Sequence, residues 1–267
     1  MDLEKICMKT VSLARDTGEY IRSESGNQKP ENIKEKGVHN FVTTVDTTTE
    51  KKLVKGLSAL LPGSSFITEE GTAGGEKNGY IWIIDPLDGT TNFIHGLPPY
   101  SISIALMEDD KVILGVIYEI NLKECFYSWK DAPAFLNGEK ISVSGTSTVN
   151  ESLIATGFPF TDYRYLDPFM KCLEYCMKNS RGVRRLGSAA VDLAYLACGR
   201  FDAFYEYGLS PWDVAAGSFL IQQAGGRVSD FSGGDNYIFG REVIAANAGV
   251  FNEFFLNISE FMRNTPK

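Results

Sequence analysis

Tyr80-Ile-Trp-Ile-Ile-Asp85-Pro-Leu-Asp88-Gly-Thr-Thr-Asn92 opens with five apolar, β-forming residues and then changes character abruptly. The run Tyr80–Ile84 reads as a buried strand. Pro86 lacks a backbone N–H, Gly89 permits tight turning, and Thr90, Thr91 and Asn92 favour turns or helix starts. The chain is therefore expected to leave a sheet at Asp85, gathering two acids, several hydroxyls and a run of free amides in one small volume. Acids of this kind bind hard cations through oxygen, and free amides after a glycine suit an anion. A cation and an anion at one strand end point to metal-assisted phosphate chemistry.

On the amino-terminal side, apolar residues recur with helical spacing from Leu3 to Ile21, and Ser23–Lys36 reads as a polar loop. Phe41–Val45 reads as a short strand delivering Asp46. Thr47-Thr-Thr-Glu50 then matches a capping box for a helix that Pro62-Gly63 stops. Phe66-Ile-Thr68 reads as a strand delivering Glu69 and Glu70, followed by a glycine-rich loop over Gly71–Gly79. On the carboxyl side, Ser101–Met107, Val112–Ile120 and Lys123–Ser128 read as consecutive antiparallel strands. Strands and helices alternate thereafter: Leu153–Thr156, Pro168–Lys178, Val183–Leu186, Ser188–Cys198, Phe201–Tyr205, Trp212–Ala224, Val243–Ala246 and Phe251–Met262. This is an α+β pattern of layered helices and sheets. The small polar residues near Gly145–Asn150 suggest a seam between an amino-terminal half, 1–145, and a carboxyl-terminal half, 146–267.

With 267 residues, 43% of them hydrophobic, the chain can bury a large core. A formal charge of −8 and no basic tract argue against nucleic acid as a partner. They also mean that an anionic substrate needs a local cation to reverse the field. The amino terminus reads as a helix rather than a signal segment, and no apolar run approaches the roughly 20 residues needed to span a bilayer. Five cysteines without framework spacing suit a reducing, cytoplasmic setting. Cys172 and Cys176 lie one helical turn apart, a spacing open to a soft metal, though cysteine is commonly a small buried residue. Two histidines, His39 and His95, without a Gly-x-Ser-x-Gly elbow, weaken both a zinc centre and a serine hydrolase.

Asp46, Glu69, Asp85 and Asp88 all fall at expected strand ends, and Asp213, in Ser210-Pro-Trp-Asp213-Val-Ala-Ala-Gly217, opens a helix. One such acid is ordinarily a turn residue or a cap, but several beside a Gly-Thr turn form a ligand set. An oxygen-only set selects magnesium or manganese.

The segments Trp82–Phe93 and Trp212–Gly217 resemble the two signature motifs of the inositol monophosphatase family. The resemblance extends over essentially the whole chain, through Phe66-Ile-Thr-Glu-Glu70, Arg185-Leu-Gly-Ser-Ala-Ala190, Gly199-Arg-Phe-Asp-Ala203 and Ala224-Gly-Gly226. It implies an αβαβα layered sandwich, a homodimer, and Mg2+-dependent, lithium-sensitive hydrolysis of a small-molecule phosphate ester by metal-activated water, with two or three ions per site. By the same resemblance, Glu69, Asp85 and the Leu87 carbonyl hold one ion, and Asp85, Asp88 and Asp213 hold another. Glu69 and Thr90 activate the water, and Asp46 pairs with Thr90. Gly89 and Thr90 bind phosphate through their amides. Gly187, Ala189, Glu206, Asp88 and Asp213 contact the inositol ring. Lys36 falls near a lysine of the family's metal loop, one residue closer to Asp46 than in animal members. Fructose 1,6-bisphosphate, a nucleotide 3′-phosphate or another sugar phosphate are alternative substrates, and a non-catalytic binding protein on the same fold is the alternative class.

Overall fold

The computed structural model describes residues 1–26, 33–37, 40–75 and 79–263. In chain order the elements are α1 (Leu3–Glu24), β1 (Ile33–Gly37), β2 (Asn40–Thr43), α2 (Thr44–Leu60), β3 (Ser65–Thr68), β4 (Tyr80–Asp88), α3 (Thr90–Ile94), β5 (Ser101–Glu108), β6 (Lys111–Glu119), β7 (Glu124–Trp129), β8 (Phe135–Leu136) and β9 (Glu139–Lys140). There follow β10 (Leu153–Thr156), α4 (Leu166–Asn179), β11 (Gly182–Arg184), α5 (Ala189–Ala197), β12 (Ala203–Tyr207), α6 (Pro211–Gln223), β13 (Arg227–Ser229), β14 (Glu242–Ala246) and α7 (Phe251–Arg263).

Two sheets carry the fold. One runs β3-β4-β5-β6-β7-β8-β9, with β3 and β4 parallel and the rest antiparallel. The other runs β11-β10-β12-β14-β13, with β10 parallel to both of its neighbours. The period of two in β4 divides its side chains between two cores. Trp82 and Ile84 face α1 and α2, in a cluster with Ile6, Val11, Leu53 and Leu57. Ile81 and Ile83 face the opposite way, in a cluster with Leu193 and Ala194 of α5 and Val214 and Ile221 of α6. Phe204 of β12 joins that second cluster, whereas Ala203, Tyr205 and Tyr207 turn toward Phe169 of α4 and Phe254 of α7. The layers are therefore α1/α2, the first sheet, α5/α6, the second sheet and α4/α7: an α+β, αβαβα sandwich. The family resemblance implied this order, and the burial of the helices agrees with it. α6 buries every residue from Val214 to Ile221, as a central helix must, while α1 buries one stripe.

Three expectations are corrected. Ile33–Gly37, read as loop, is a strand paired antiparallel with β2, because a two-stranded hairpin needs no apolar alternation to close its ladder. Asp46 does not end a strand; it is the third residue of α2, where Thr43 and Asp46 form the capping box in place of Thr47 and Glu50. β4 does not stop at Asp85. Asp85 pairs with Ser103 and Asp88 with Ser101, so Pro86 and Leu87 together oppose Ile102 in a bulge. A bulge tolerates the missing N–H of Pro86. His39 and residues 76–78 of the glycine-rich loop lie outside the described residues. Cys172 and Cys176 are wholly buried between α4 and α7, and burial pushes the Cys172 thiol up to about 12, so both pack as small apolar groups.

Candidate active site

The end of β4 forms one wall of a cavity of about 350 Å³, which Glu69, Asp85, Asp88, Thr90, Glu206 and Asp213 all border. β4 alone cannot bring Asp213 there. Ser103, the register partner of Asp85, donates from Oγ to the Trp212 carbonyl at 2.9 Å and so fixes the start of α6 against the strand. Ser101, the partner of Asp88, lies 3.3 Å, Oγ to Oγ, from Ser188, the cap of α5. Two buried serines on β5 thus dock two helix starts beside two strand-end acids.

Asp85, Asp88 and Asp213 are each held by specific donors. The Leu87 N–H donates to Asp85 Oδ1 at 2.9 Å. Asp88 Oδ2 accepts from Ser188 Oγ at 2.5 Å and from the Ala190 N–H at 2.8 Å, at the amino end of α5, where the helix dipole favours an anion. Asp213 Oδ2 accepts from the Ser210 N–H at 2.7 Å as the third residue of α6. One carboxylate oxygen from each of Asp85, Asp88 and Asp213 lies within 4.8 Å of the others. Glu69 is half-buried on the same cavity wall, outside that close set, with its N–H on the Ile84 carbonyl at 3.3 Å. Burial, then the charges of Glu69, Asp88 and Asp213, hold the Asp85 carboxyl well above the usual carboxylate range. Burial and Asp88 do the same to Asp213. Burial also raises Asp88, against the donors at α5 that lower it. Carboxylates packed this closely disfavour one another's charge. An all-oxygen set with this excess of negative charge fits a hard divalent cation.

Thr90 stands at the first turn of α3, after Gly89, whose φ of 92° is left-handed. A Cβ at Gly89 would also meet the Pro99 carbonyl at 3.1 Å, so both backbone and space require glycine there. The Thr90 Oγ1 lies 3.1 Å from Asp46 Oδ1 and 3.0 Å from the Leu87 carbonyl, and its single proton can serve either. Asp46 is fixed independently, since the Thr43 N–H and Oγ1 both donate to its Oδ2, at 2.9 and 2.5 Å. No side chain caps α3. Asn92 ties α3 to the segment before α5, donating from Nδ2 to the Pro99 and Leu186 carbonyls at 2.9 and 2.8 Å. Gly187 packs against this amide, and Ala189 begins α5 at the cavity wall. Glu206, on β12, is buried, and burial followed by the charges of Asp213 and Asp88 pushes its carboxyl up to about 8. Lys36 lies in β1, and its side chain lies outside the described residues.

Sequence reasoning missed several residues that build the site. Glu50 is fully buried in α2, where its carboxylate accepts from the Glu70 N–H at 2.8 Å and from the Thr72 N–H and Oγ1 at 2.8 and 2.6 Å, clamping the turn that carries Glu69. Ser101, Ser103 and Ser188 read in sequence as ordinary small polar residues. Asp192, on α5, is buried at the cavity wall. The signal available in sequence was polarity where the period demands an apolar residue: Ser101 and Ser103 share a β5 face with Ala105 and Met107.

Residues 2–263 match the model of the inositol monophosphatase family. The chain belongs to the inositol monophosphatase family. An inositol-1-monophosphatase from Mesorhizobium japonicum is 39% identical, over 89% of this chain and 90% of its own. A Nus factor SuhB from Pseudomonas aeruginosa is 38% identical, over 92% of each chain. The solved structure of an IMPase from Thermotoga maritima superposes with a TM-score of 0.89 at 34% identity, covering all of both chains. Family membership supports a phosphatase with a small-molecule phosphate ester as substrate, and among the described residues no helix is long and apolar enough to cross a membrane.

Proposed function

We propose that the chain is a Mg2+-dependent phosphomonoesterase that hydrolyses inositol monophosphate to inositol and inorganic phosphate. The carrying observation is the close set of Asp85, Asp88 and Asp213 beside the Asp46–Thr90 pair, with Glu69 on the same wall. In this reading Glu69, Asp85 and the Leu87 carbonyl hold one Mg2+, and Asp85, Asp88 and Asp213 hold a second. When bound there, magnesium supplies charge neutralisation at the ester and lowers the pKa of water.

The chain's own groups do the rest. With its proton directed to Asp46 Oδ1, Thr90 Oγ1 presents a lone pair to the attacking water, and the Glu69 carboxylate takes the proton that the water loses; as the new P–O bond forms, the ester P–O bond breaks and the departing inositol oxygen takes up a proton from solvent. The amides of Gly89 and Thr90 hold the phosphoryl oxygens. Asp88, Gly187, Ala189, Glu206 and Asp213 border the alcohol and fix its orientation, which is a large part of catalysis in phosphoryl transfer. Direct displacement by water suits the site better than a covalent phospho-enzyme, because Asp85, Asp88 and Asp213 are each already engaged by fixed donors and serve better as metal ligands. The two similar relatives carry different names, inositol-1-monophosphatase and Nus factor SuhB, at nearly equal identity. The close acid set favours the hydrolytic reading for this chain.

We also propose a homodimer by family likeness, a cytoplasmic setting from the cysteine usage, and, from the small polar stretch near Gly145–Asn150, two halves of each chain, 1–145 with most metal ligands and 146–267 with Asp213 and the ring contacts. Light scattering tests the dimer. The functional test is phosphate release from inositol 1-phosphate, with and without Mg2+, alongside fructose 1,6-bisphosphate and a nucleotide 3′-phosphate. Turnover of inositol 1-phosphate that a chelator abolishes supports the reading. Much faster turnover of another ester moves the substrate, and no turnover of any ester refutes hydrolysis.

A further inference from the structure

Gly157 stands where the chain leaves β10, and its backbone does not demand glycine, because its φ is not left-handed. The demand is for space. A Cβ built on Gly157 would overlap Oε1, Cδ and Oε2 of Glu206, all three well inside the 3.0 Å that real Cβ atoms keep. The whole Glu206 carboxyl group therefore lies where a side chain at position 157 would begin.

The backbone on both sides of Gly157 is fixed. Thr156 pairs with Tyr205 in the parallel β10–β12 ladder, and its Oγ1 donates to the Tyr205 carbonyl at 2.7 Å. One residue further along that register, Gly157 comes beside Glu206. The other flank of Glu206 is taken by its register partner on β14, Val243, which is fully buried. Beyond Gly157, the Phe158 ring packs T-shaped against the buried Phe169 at 6.4 Å, and the Arg185 guanidinium lies over it at 5.8 Å. With the strand held and the next ring anchored, the movable partner in any clash at 157 is the far end of the Glu206 side chain. Gly157, Phe158 and Glu206 all border the cavity. We propose that Gly157 is a positioning residue for substrate choice: by lacking a side chain it seats the Glu206 carboxyl group on the alcohol side of the cavity. A larger residue at 157 would turn that group away and relax the preference for phosphate esters of polyols. This rests on the proposed reading, in which Glu206 borders the alcohol.

The test compares kcat/KM for inositol 1-phosphate with kcat/KM for phenyl phosphate, in the full chain with Mg2+, for the wild type, Gly157→Ala, Glu206→Ala and the double variant. A hydroxyl both donates and accepts, so it bonds a carboxyl group in either protonation state, whereas a phenyl ring does neither. The expected result for Gly157→Ala is a fall of about 10- to 100-fold in the ratio, with the circular dichroism of the wild type. In the Glu206→Ala background the same substitution leaves the ratio where it was, because no carboxyl group remains to be displaced. An unchanged ratio in Gly157→Ala, equal losses on both esters, or a further fall from Glu206→Ala to the double variant each overturns the proposal. If the wild type hydrolyses neither ester, the proposed function falls while this inference is still decided by melting temperature. Adding myo-inositol to protein saturated with Mg2+ and inorganic phosphate raises the wild-type melting temperature and not that of Gly157→Ala. No rise in the wild type, or an equal rise in the variant, overturns it.

Discussion

Replacing Glu50 with Gln would damage the site without touching metal or substrate. Glu50 is fully buried in α2, and its two carboxylate oxygens accept three hydrogen bonds from Glu70 and Thr72. Gln preserves the shape but turns one acceptor into a donor. Whichever way the amide sits, its NH2 faces a backbone N–H. If it faces the Glu70 N–H, one donor is stranded; if it faces Thr72, the Thr72 N–H is stranded and only the hydroxyl can turn round. Each bond to a carboxylate is worth about 1.5–3 kcal/mol, and a stranded buried donor costs about 1–3 kcal/mol. Weakening the two retained bonds and losing one gives about 2–4 kcal/mol. For a chain of this length that lowers the melting temperature by about 4–8 °C. Either stranded amide, that of Glu70 or that of Thr72, lies in the turn that follows Glu69, so the turn shifts where Glu69 meets the cavity. The expected outcome is a rise of about tenfold in the Mg2+ needed for half-maximal rate, with the fold retained. Calorimetry and a Mg2+ titration of phosphate release read both quantities. A melting temperature and a Mg2+ requirement both equal to wild type would falsify the clamp.

Further outcomes are expected. Asp88→Asn keeps an oxygen for Ser188 and Ala190, so circular dichroism stays that of the wild type, while turnover falls at least about a hundredfold through loss of ligand charge; retained turnover contradicts the metal role. Glu206 sets a pH dependence in the metal-free protein. Its folded pKa, pushed from 4.5 up to about 8, means that the folded chain keeps a proton that the unfolded chain has lost across that window. Stability therefore falls as pH rises through the window, by about 1.4 kcal/mol per pH unit for this group, and melting curves of Glu206→Gln should lack this slope. Ser103→Ala leaves the Trp212 carbonyl without its donor and costs about 1–3 kcal/mol in denaturant unfolding. Lithium should inhibit by occupying the proposed second cation position, and insensitivity at high millimolar lithium would argue for a different branch of the superfamily.

Much of the fold was legible because periods expose burial. Tyr80–Ile84 alternates between two cores, and Val214–Ile221 is made of small and apolar residues that the middle layer buries on every side. The errors fell where local chemistry is degenerate. Thr43 and Thr47 are equally good caps in sequence, and the choice went to Thr43 because Asp46 can bond both its N–H and its hydroxyl. Pro86 reads as a strand end, but its pairing partners on β5 continue past it, and a bulge resolves the conflict.

The sequence by itself determined the α+β pattern, the acid-Pro-x-acid-Gly-Thr turn and, through its motifs, the resemblance to the family that implied the layer order, because these depend on residue types at short, fixed spacing. Tertiary structure decided which distant groups meet. Asp213 reaches Asp85 across more than a hundred residues because Ser103 grips the start of α6, and Asp88 reaches α5 because Ser188 donates to it. Glu50 was invisible for the same reason. A buried carboxylate gains its meaning from the donors that surround it, and those donors come from elements far away in the chain.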